Sequence, residues 1–390
     1  MLGAALAAGA LIALAVVVTL SVGGTGDYQP NGIVGGDNPA PAIGALVHGD
    51  IARLLSVQPV MGLVSLLIRA PVAALAAPLH WSGLTTYQLG ALVCLLPGLA
   101  LVACVLSDSS LLSRARLACV LGAALILLSP ATHNALWSGH PEEPLAAVLA
   151  TASVVAAQRQ ARGVAAVCLG LAVGTKQWAV VAALPVLVAL DRARLRAALI
   201  AGAVALAMSV PAMLDPSAFA AQSHGVFGSH LTNQFSAWWF AGAPVAVPHG
   251  LAAAAPVRRL PFGLTRSPAS LVPLAVLVGV VAWLRRARPQ LGIEPLALLA
   301  LLELARCLTD PLPLSYYYVP VLISLAAYEA VRLERVPILT ACVVLVQSEV
   351  FGASLKPSVS NVLMLIGAAA LVWSFKFGLP RPIPSPAWRT

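Results

Sequence analysis

The chain has 390 residues, of which 60% are hydrophobic and only 9% are charged, and its formal net charge is +9. This apolar content is well above that of soluble domains and excludes an ordinary soluble enzyme. Because a bilayer offers no water to backbone N–H and C=O groups, long apolar runs must form helices. We therefore predict an all-α, polytopic transmembrane protein in which residues 1–390 form a single domain.

About twelve membrane-spanning helices are predicted from the apolar runs, with a margin of one or two because several runs are short for a full crossing. Residues 2–22 are predicted as a retained first helix, not a signal peptide, because no basic segment precedes them. All six cysteines fall in apolar runs and are predicted to be free thiols. The candidate spans are roughly 2–22, 85–106, 117–132, 143–157, 163–174, 177–190, 197–213, 268–284, 293–308, 315–330, 337–352 and 359–376.

The basic residues predict the orientation, since short cytoplasmic loops retain Lys and Arg. A cytoplasmic N-terminus places 15 of the 23 basic residues on the cytoplasmic side. Both termini are then cytoplasmic in a multi-pass cell-membrane protein. The positive charge is thus explained by topology, and no nucleic-acid partner is expected.

The irregular chain is concentrated on the outer face, in a first loop of about 23–84 and a second segment of about 214–267. In the first loop, 38–55 is predicted as a short helix. Residues 59–79 are predicted as an interfacial or re-entrant helix, with Arg69 snorkelling or facing a cavity. Since irregular segments carry function disproportionately, we expect the protein to work on its outer face.

Ionisable residues line up along this predicted outer face, where charge at membrane depth is costly and points to function. They are Asp27, Asp37, Asp50, His140, Glu142, Glu143, Lys176, Glu303, Arg306 and Asp310, together with Gln177 and Tyr317 as polar neighbours.

Each of these groups also has a structural interpretation. Glu142 and Glu143 follow Pro141 at a helix start, where carboxylates favour the macrodipole, and Asp37 is placed to cap a helix. Lys176 either snorkels to the membrane interface or, in a Gly-Thr-Lys turn that opens a helix, forms part of a phosphate-binding site. Glu303 and Arg306 are spaced to form an ion pair within one helix.

The aromatic residues have two interpretations as well. The tyrosines at 316–318 and the pair Trp238 and Trp239 suit either an interfacial belt or a substrate platform. The stretch 223–242 combines aromatic and polar residues, which suits sugar recognition or a mobile lid. The nearby Arg258, Arg259 and Arg266 depart from the positive-inside pattern, and attraction to lipid phosphate is one explanation.

Several of these motifs together resemble a known class. The outer aspartate after the first span, the interfacial helices, the "GxxxGTKQW" turn at 170–178 and the "TDPxxxxYYYxP" element at 309–320 resemble the GT-C membrane glycosyltransferases. The pattern is most similar to the bacterial family 87 polyprenol-phosphate-sugar-dependent mannosyltransferases. The resemblance implies transfer of a mannose-like sugar from a polyprenol-phosphate donor to a lipid or glycan acceptor. It also implies a general base in the first outer loop, with Asp37 as first choice and Asp50 as second.

The chemistry of such a transfer assigns roles to the other residues. A base must deprotonate the acceptor hydroxyl, and cations must stabilise the leaving phosphate. Lys176 and Arg306 are predicted to hold the phosphate. The remaining substrate-binding residues are His140, Glu142, Glu143, Gln177, Asp310 and Tyr317. No cofactor or metal is predicted, and membrane lipids are the expected surroundings.

Two other classes of function remain open. A secondary transporter or lipid flippase would use the same buried charges for substrate or proton coupling. The lack of a recognisable internal repeat argues against it. A non-catalytic membrane scaffold would tolerate replacement of Asp37 or Lys176.

Overall fold

The computed structural model describes residues 2–22, 39–57, 62–108, 111–218, 220, 230–245, 256–287, 294–352 and 355–377. Most of these residues are helical, which confirms the predicted α class. The helices are α1 Leu2–Leu20, α2 Ala40–His48, α3 Ile51–Ser56, α4 Leu63–Ala76, α5 Gly83–Ser107, α6 Ser113–Leu128, α7 Pro130–Trp137, α8 Glu142–Gln158, α9 Arg162–Thr175, α10 Ala183–Ala189, α11 Arg194–Met208, α12 Val210–Leu214, α13 Arg266–Ala287, α14 Pro295–Thr309, α15 Val319–Ala327, α16 Ile338–Gly352 and α17 Pro357–Phe377.

A small antiparallel sheet departs from the all-α prediction. It comprises β1 Leu231–Asn233, β2 Ala243–Pro244 and β3 Val257–Arg259, in the order β1-β3-β2. Leu231 pairs with Arg259, and Ala243 pairs with the same residue from the other side. All three strands lie in the second segment predicted as outer and irregular, so part of that segment has regular structure.

The helices supply fewer clear spans than the twelve predicted. In the part of the chain that the structure describes, three helices are long and apolar enough to cross a membrane: Gly83–Ser107, Arg266–Trp283 and Pro357–Ser374. A fourth is formed if α6 and α7, which meet at a 48° bend, are counted as one span. Other apolar helices, such as α9 with 14 residues, fall short of the length of about 20 that a crossing needs.

Helix α8 lies at the centre of the molecule, with 13 of its 17 residues buried. It packs against α5, α9 and α15. Its alanines, together with Ser153 and Thr151, are small enough to let neighbouring backbones approach closely. The first turn of α8 begins at Glu142, so the packing of this helix carries two carboxylates into the interior.

The first predicted outer loop contains helices, as expected, but the single helix predicted over 38–55 is divided into α2 and α3. Asp50 separates α2 from α3, and its Oδ1 accepts a 2.9 Å hydrogen bond from the backbone N–H of Arg53. Arg69 in α4 is buried, with its guanidinium 5.5 Å from the centre of the Tyr87 ring. Of the two predicted placements for Arg69, the structure has it facing the interior and not at the surface.

The start of α4 is attached to the end of α9. The backbone N–H of Gly62 donates to the carbonyl of Thr175 at 3.0 Å. A Cβ atom at residue 62 would lie 1.8 Å from the carbonyl oxygen of Gly174, so only glycine permits this approach. The contact fixes the first-loop helices beside the turn that carries Lys176.

Candidate functional site

A buried ionic cluster lies where α8 begins and α9 ends. The Nζ of Lys176 is 3.0 Å from Oε1 of Glu142 and 3.5 Å from Oε1 of Glu143. His140 Nδ1 lies 2.9 Å from the same Glu142 oxygen. Glu142 is 0% exposed and Glu143 is 2% exposed, so these charges interact with little screening by water.

Local sequence explains how these side chains meet. Pro141 and Pro144 suit the start of α8, since proline lacks the N–H that a first turn would leave unpaired. Gly139 has a φ of 89°, which turns the chain sharply ahead of His140. On the other side, the backbone of Lys176 is extended (φ −146°, ψ 127°), so α9 ends at Thr175.

A stack of cationic and aromatic groups extends the cluster. Trp178 Nε1 donates to Glu143 Oε2 at 2.9 Å. The guanidinium of Arg306 lies 4.5 Å from the centre of the Trp178 ring and 4.8 Å from that of Tyr317. Both distances are within the range of cation–π attraction, so two aromatic rings hold the buried Arg306.

The stack continues to a second ion pair. Arg266, at the start of α13, donates from Nε and Nη2 to the two oxygens of Asp310, each at 2.9 Å. Its Nη2 also donates to the Tyr317 hydroxyl at 2.8 Å. Such a bidentate ion pair fixes the relative position of both side chains, so it ties the start of α13 to the end of α14.

The structure therefore brings most of the predicted substrate-binding residues into one connected network, here called the ionic cluster. It contains three cations and three carboxylates, which balance one another. Its members are His140, Glu142, Glu143, Lys176, Trp178, Arg266, Arg306, Asp310, Tyr316 and Tyr317, with Tyr316 stacked 4.8 Å from the His140 ring.

Other predicted residues lie elsewhere. Asp37 and Asp27 fall outside the described residues. Asp50 is exposed and caps α3, and Gln177 has an exposed side chain. Glu303 accepts a 2.5 Å hydrogen bond from the Ser324 hydroxyl, whereas Arg306 is held by aromatic rings, so the predicted pair within the helix is replaced by two separate partners.

The aromatic pair in the second segment is packed against the protein. Trp238 Nε1 donates to the carbonyl of Thr309 at 3.0 Å, and the guanidinium of Arg258 lies 4.2 Å from the centre of the Trp239 ring. Trp239 is only 4% exposed. Trp238 therefore ties the second segment to the end of α14, and Trp239 packs against β3 within that segment, a role that neither the belt nor the platform interpretation anticipated. Residues 223–229 of the proposed lid lie outside the described residues.

All six cysteines are free, as predicted, although Cys104 and Cys342 are exposed and so are not packed in the core.

Three members of the ionic cluster, Tyr316, Trp178 and Arg266, were not among the site residues predicted from the sequence. Trp178 lies inside the motif that contains Lys176, and its indole N–H is a donor that seeks a partner when buried. Arg266 was visible as a departure from the positive-inside pattern. That departure was the available signal, because an arginine on the predicted outer side needs a local partner.

Two polar atoms of the ionic cluster are buried without a hydrogen-bond partner among the described residues. They are Nη1 of Arg306 and Oε2 of Glu142. A buried donor and a buried acceptor left unpaired are costly, and such groups often serve to bind a ligand. Outside the cluster, Arg69 Nη1 in α4 is another buried donor without a hydrogen-bond partner among the described residues.

No protein-family model, curated protein or solved structure matches the chain. The fold defines a mainly helical protein with a few helices of membrane-spanning length, and the site defines a buried, charge-balanced cluster. The resemblance to the polytopic glycosyltransferases stays a prediction.

Proposed function

We propose that the chain is a membrane glycosyltransferase that moves a mannose-like sugar from a polyprenol-phosphate donor to a lipid or glycan acceptor. The observation that carries this proposal is Arg306, which is fixed between Trp178 and Tyr317 and has an unpaired Nη1. A preorganised guanidinium is suited to stabilise negative charge on a departing lipid phosphate.

The distances favour different roles for the two cations, Lys176 and Arg306. Lys176 already contacts two carboxylates, so its charge is largely compensated. We assign the main phosphate contact to Arg306, and to Lys176 the task of orienting Glu142 and Glu143. The unpaired Oε2 of Glu142 then accepts a hydrogen bond from a sugar or acceptor hydroxyl.

The general base is proposed to come from the first predicted outer loop. Asp37 is the first choice and Asp50 the second. The contact of Gly62 with Thr175 links the helices of this loop to the Lys176 turn, which supports a role for the loop beside the cluster. The exposed position of Asp50 at the start of α3 lets it be replaced without disturbing the core.

Sugar transfer by the full chain in lipid nanodiscs tests the proposal. A panel of polyprenol-phosphate sugars is offered with a membrane-lipid acceptor extract, and turnover and donor binding are measured separately. We expect Asp37→Asn to abolish transfer while donor binding persists. Replacement of Arg306 with Gln is expected to lower turnover by about 10²–10³-fold, as for other transition-state donors. The matched control is Arg192→Gln, because Arg192 is exposed.

Other outcomes separate the alternatives. Activity that survives Asp37→Asn and is lost in Asp50→Asn moves the base to Asp50. Full activity of Arg306→Gln contradicts the phosphate assignment. If wild-type protein turns over no donor and cysteine labelling shows substrate-dependent access from both faces, the transporter or flippase replaces the glycosyltransferase.

A further inference from the structure

A cavity lies apart from the ionic cluster, between α14, α16 and α17. Its volume is about 240 Å³, and its walls include Leu308, Val346, Phe351 and Met364. It is larger than an engineered apolar cavity of about 150 Å³ that binds benzene. No charged side chain lines the described walls of this cavity. An occupant must therefore be mainly apolar and uncharged, because burying an unpaired charge there would be very costly.

Two buried polar side chains also line this cavity. Tyr318 is 5% exposed and Gln347 is 3% exposed. The Tyr318 hydroxyl and the Gln347 Oε1 atom have no hydrogen-bond partner among the described residues. The Gln347 Nε2 atom donates to the carbonyl of Ser315 at 2.6 Å, which fixes the amide and leaves Oε1 available.

The chemistry of these two groups defines the ligand. A phenolic hydroxyl donates a hydrogen bond, and an amide oxygen accepts one. We propose that the cavity is a binding site for an uncharged, membrane-soluble aliphatic alcohol. Its hydroxyl accepts from Tyr318 and donates to Gln347, and its hydrocarbon body fills the apolar volume.

This site is independent of the proposed sugar transfer. Tyr317 and Tyr318 share one short turn, Ser315–Tyr318, but their side chains serve different places: Tyr317 contacts Arg306, whereas Tyr318 lines the cavity. A charged lipid phosphate suits the ionic cluster and is excluded from the uncharged cavity. Binding of an alcohol is therefore measured without any glycosyltransferase assay.

Photolabelling of the full chain in nanodiscs tests the proposal. The probe is decanol that carries a diazirine on its chain, and the matched probe is the corresponding photoreactive decane. Labelled peptides are identified by mass spectrometry, with and without excess decanol. We expect competable labelling of α16 and α17 by the alcohol, at a several-fold lower concentration than by the alkane.

Variants identify the polar contacts. Tyr318→Phe removes only a hydroxyl that has no partner among the described residues, so the protein should keep its melting temperature. The affinity for decanol should fall by about 2–12-fold, which corresponds to the loss of one hydrogen bond. Ala368→Leu, which replaces a methyl group in the cavity wall with a larger side chain, should abolish labelling.

Three results would overturn the proposal. They are labelling that excess decanol does not reduce, equal labelling by the alkane and the alcohol, and an affinity that neither Tyr318→Phe nor Gln347→Leu changes. The last result would leave only non-specific partition into an apolar space.

Discussion

Replacement of Lys176 by methionine tests whether the ionic cluster is held together as the distances indicate. Methionine keeps an unbranched side chain of similar length but removes the charge. Glu142 and Glu143 would then be two buried carboxylates without their shared cation. We expect a large loss of stability, because removing one partner of a buried ion pair leaves an uncompensated charge.

The size of the loss follows from the geometry. At separations of 3.0 and 3.5 Å, each attraction is roughly 5 kcal/mol with an effective dielectric constant of about 20. Desolvation of the charged groups offsets much of this attraction. The expected net loss in the free energy of unfolding is therefore about 3–5 kcal/mol.

The assay is SDS titration of the protein in mixed micelles, with the melting temperature as a second readout. Lys356→Met is the matched control, since Lys356 is exposed, and it should change stability by less than about 0.5 kcal/mol. Adding Glu142→Gln to Lys176→Met should recover about 1–3 kcal/mol, because it removes one of the two buried carboxylates that have lost the lysine. A Lys176→Met protein as stable as the control, or a double variant weaker than the single one, refutes the reasoning.

The other predictions concern contacts around the cluster. Arg266→Lys should lower the free energy of unfolding by about 1–3 kcal/mol, because an ammonium group cannot reproduce the bidentate contact with Asp310. SDS titration measures this loss, and a stability equal to that of the wild type contradicts the prediction. Gly62→Ala should lower the melting temperature clearly, because its Cβ would clash with the α9 carbonyl. Gly44→Ala has open space in α2 and should be neutral or stabilising by up to about 1 kcal/mol. Equal melting temperatures of these two variants would argue against the close approach. Asp50→Ala should cost about 1 kcal/mol through loss of the α3 cap, as hydrogen exchange of the Arg53 amide would report; unchanged exchange rules this out.

Much of the helical layout was predictable from local sequence. The turn at Lys176 was predicted between two short apolar runs, and α9 does end at Thr175. The helix start after Pro141 and the presence of helices in the first loop were predicted as well, although the break at Asp50 between α2 and α3 was not. These features depend on neighbours within a few residues, which is why proline, glycine and apolar spacing reveal them.

The number of membrane crossings was not predictable in the same way. Apolar composition identified the segments but could not separate a full crossing from a short buried helix, because both are apolar throughout. Helix α8, for example, is buried by protein on nearly all sides over only 17 residues. Its apolar character therefore follows from its central position in the fold.

The sequence by itself determined the helical class, the position of most helix ends and the pool of ionisable residues available for a site. Only the tertiary structure decided the partners. Arg306 lies against Trp178, which is more than 100 residues earlier in the chain, and Glu303 accepts a hydrogen bond from Ser324. The physical reason is that periodicity fixes which side of a helix a residue occupies, whereas packing between distant helices fixes which side chains come within hydrogen-bond distance.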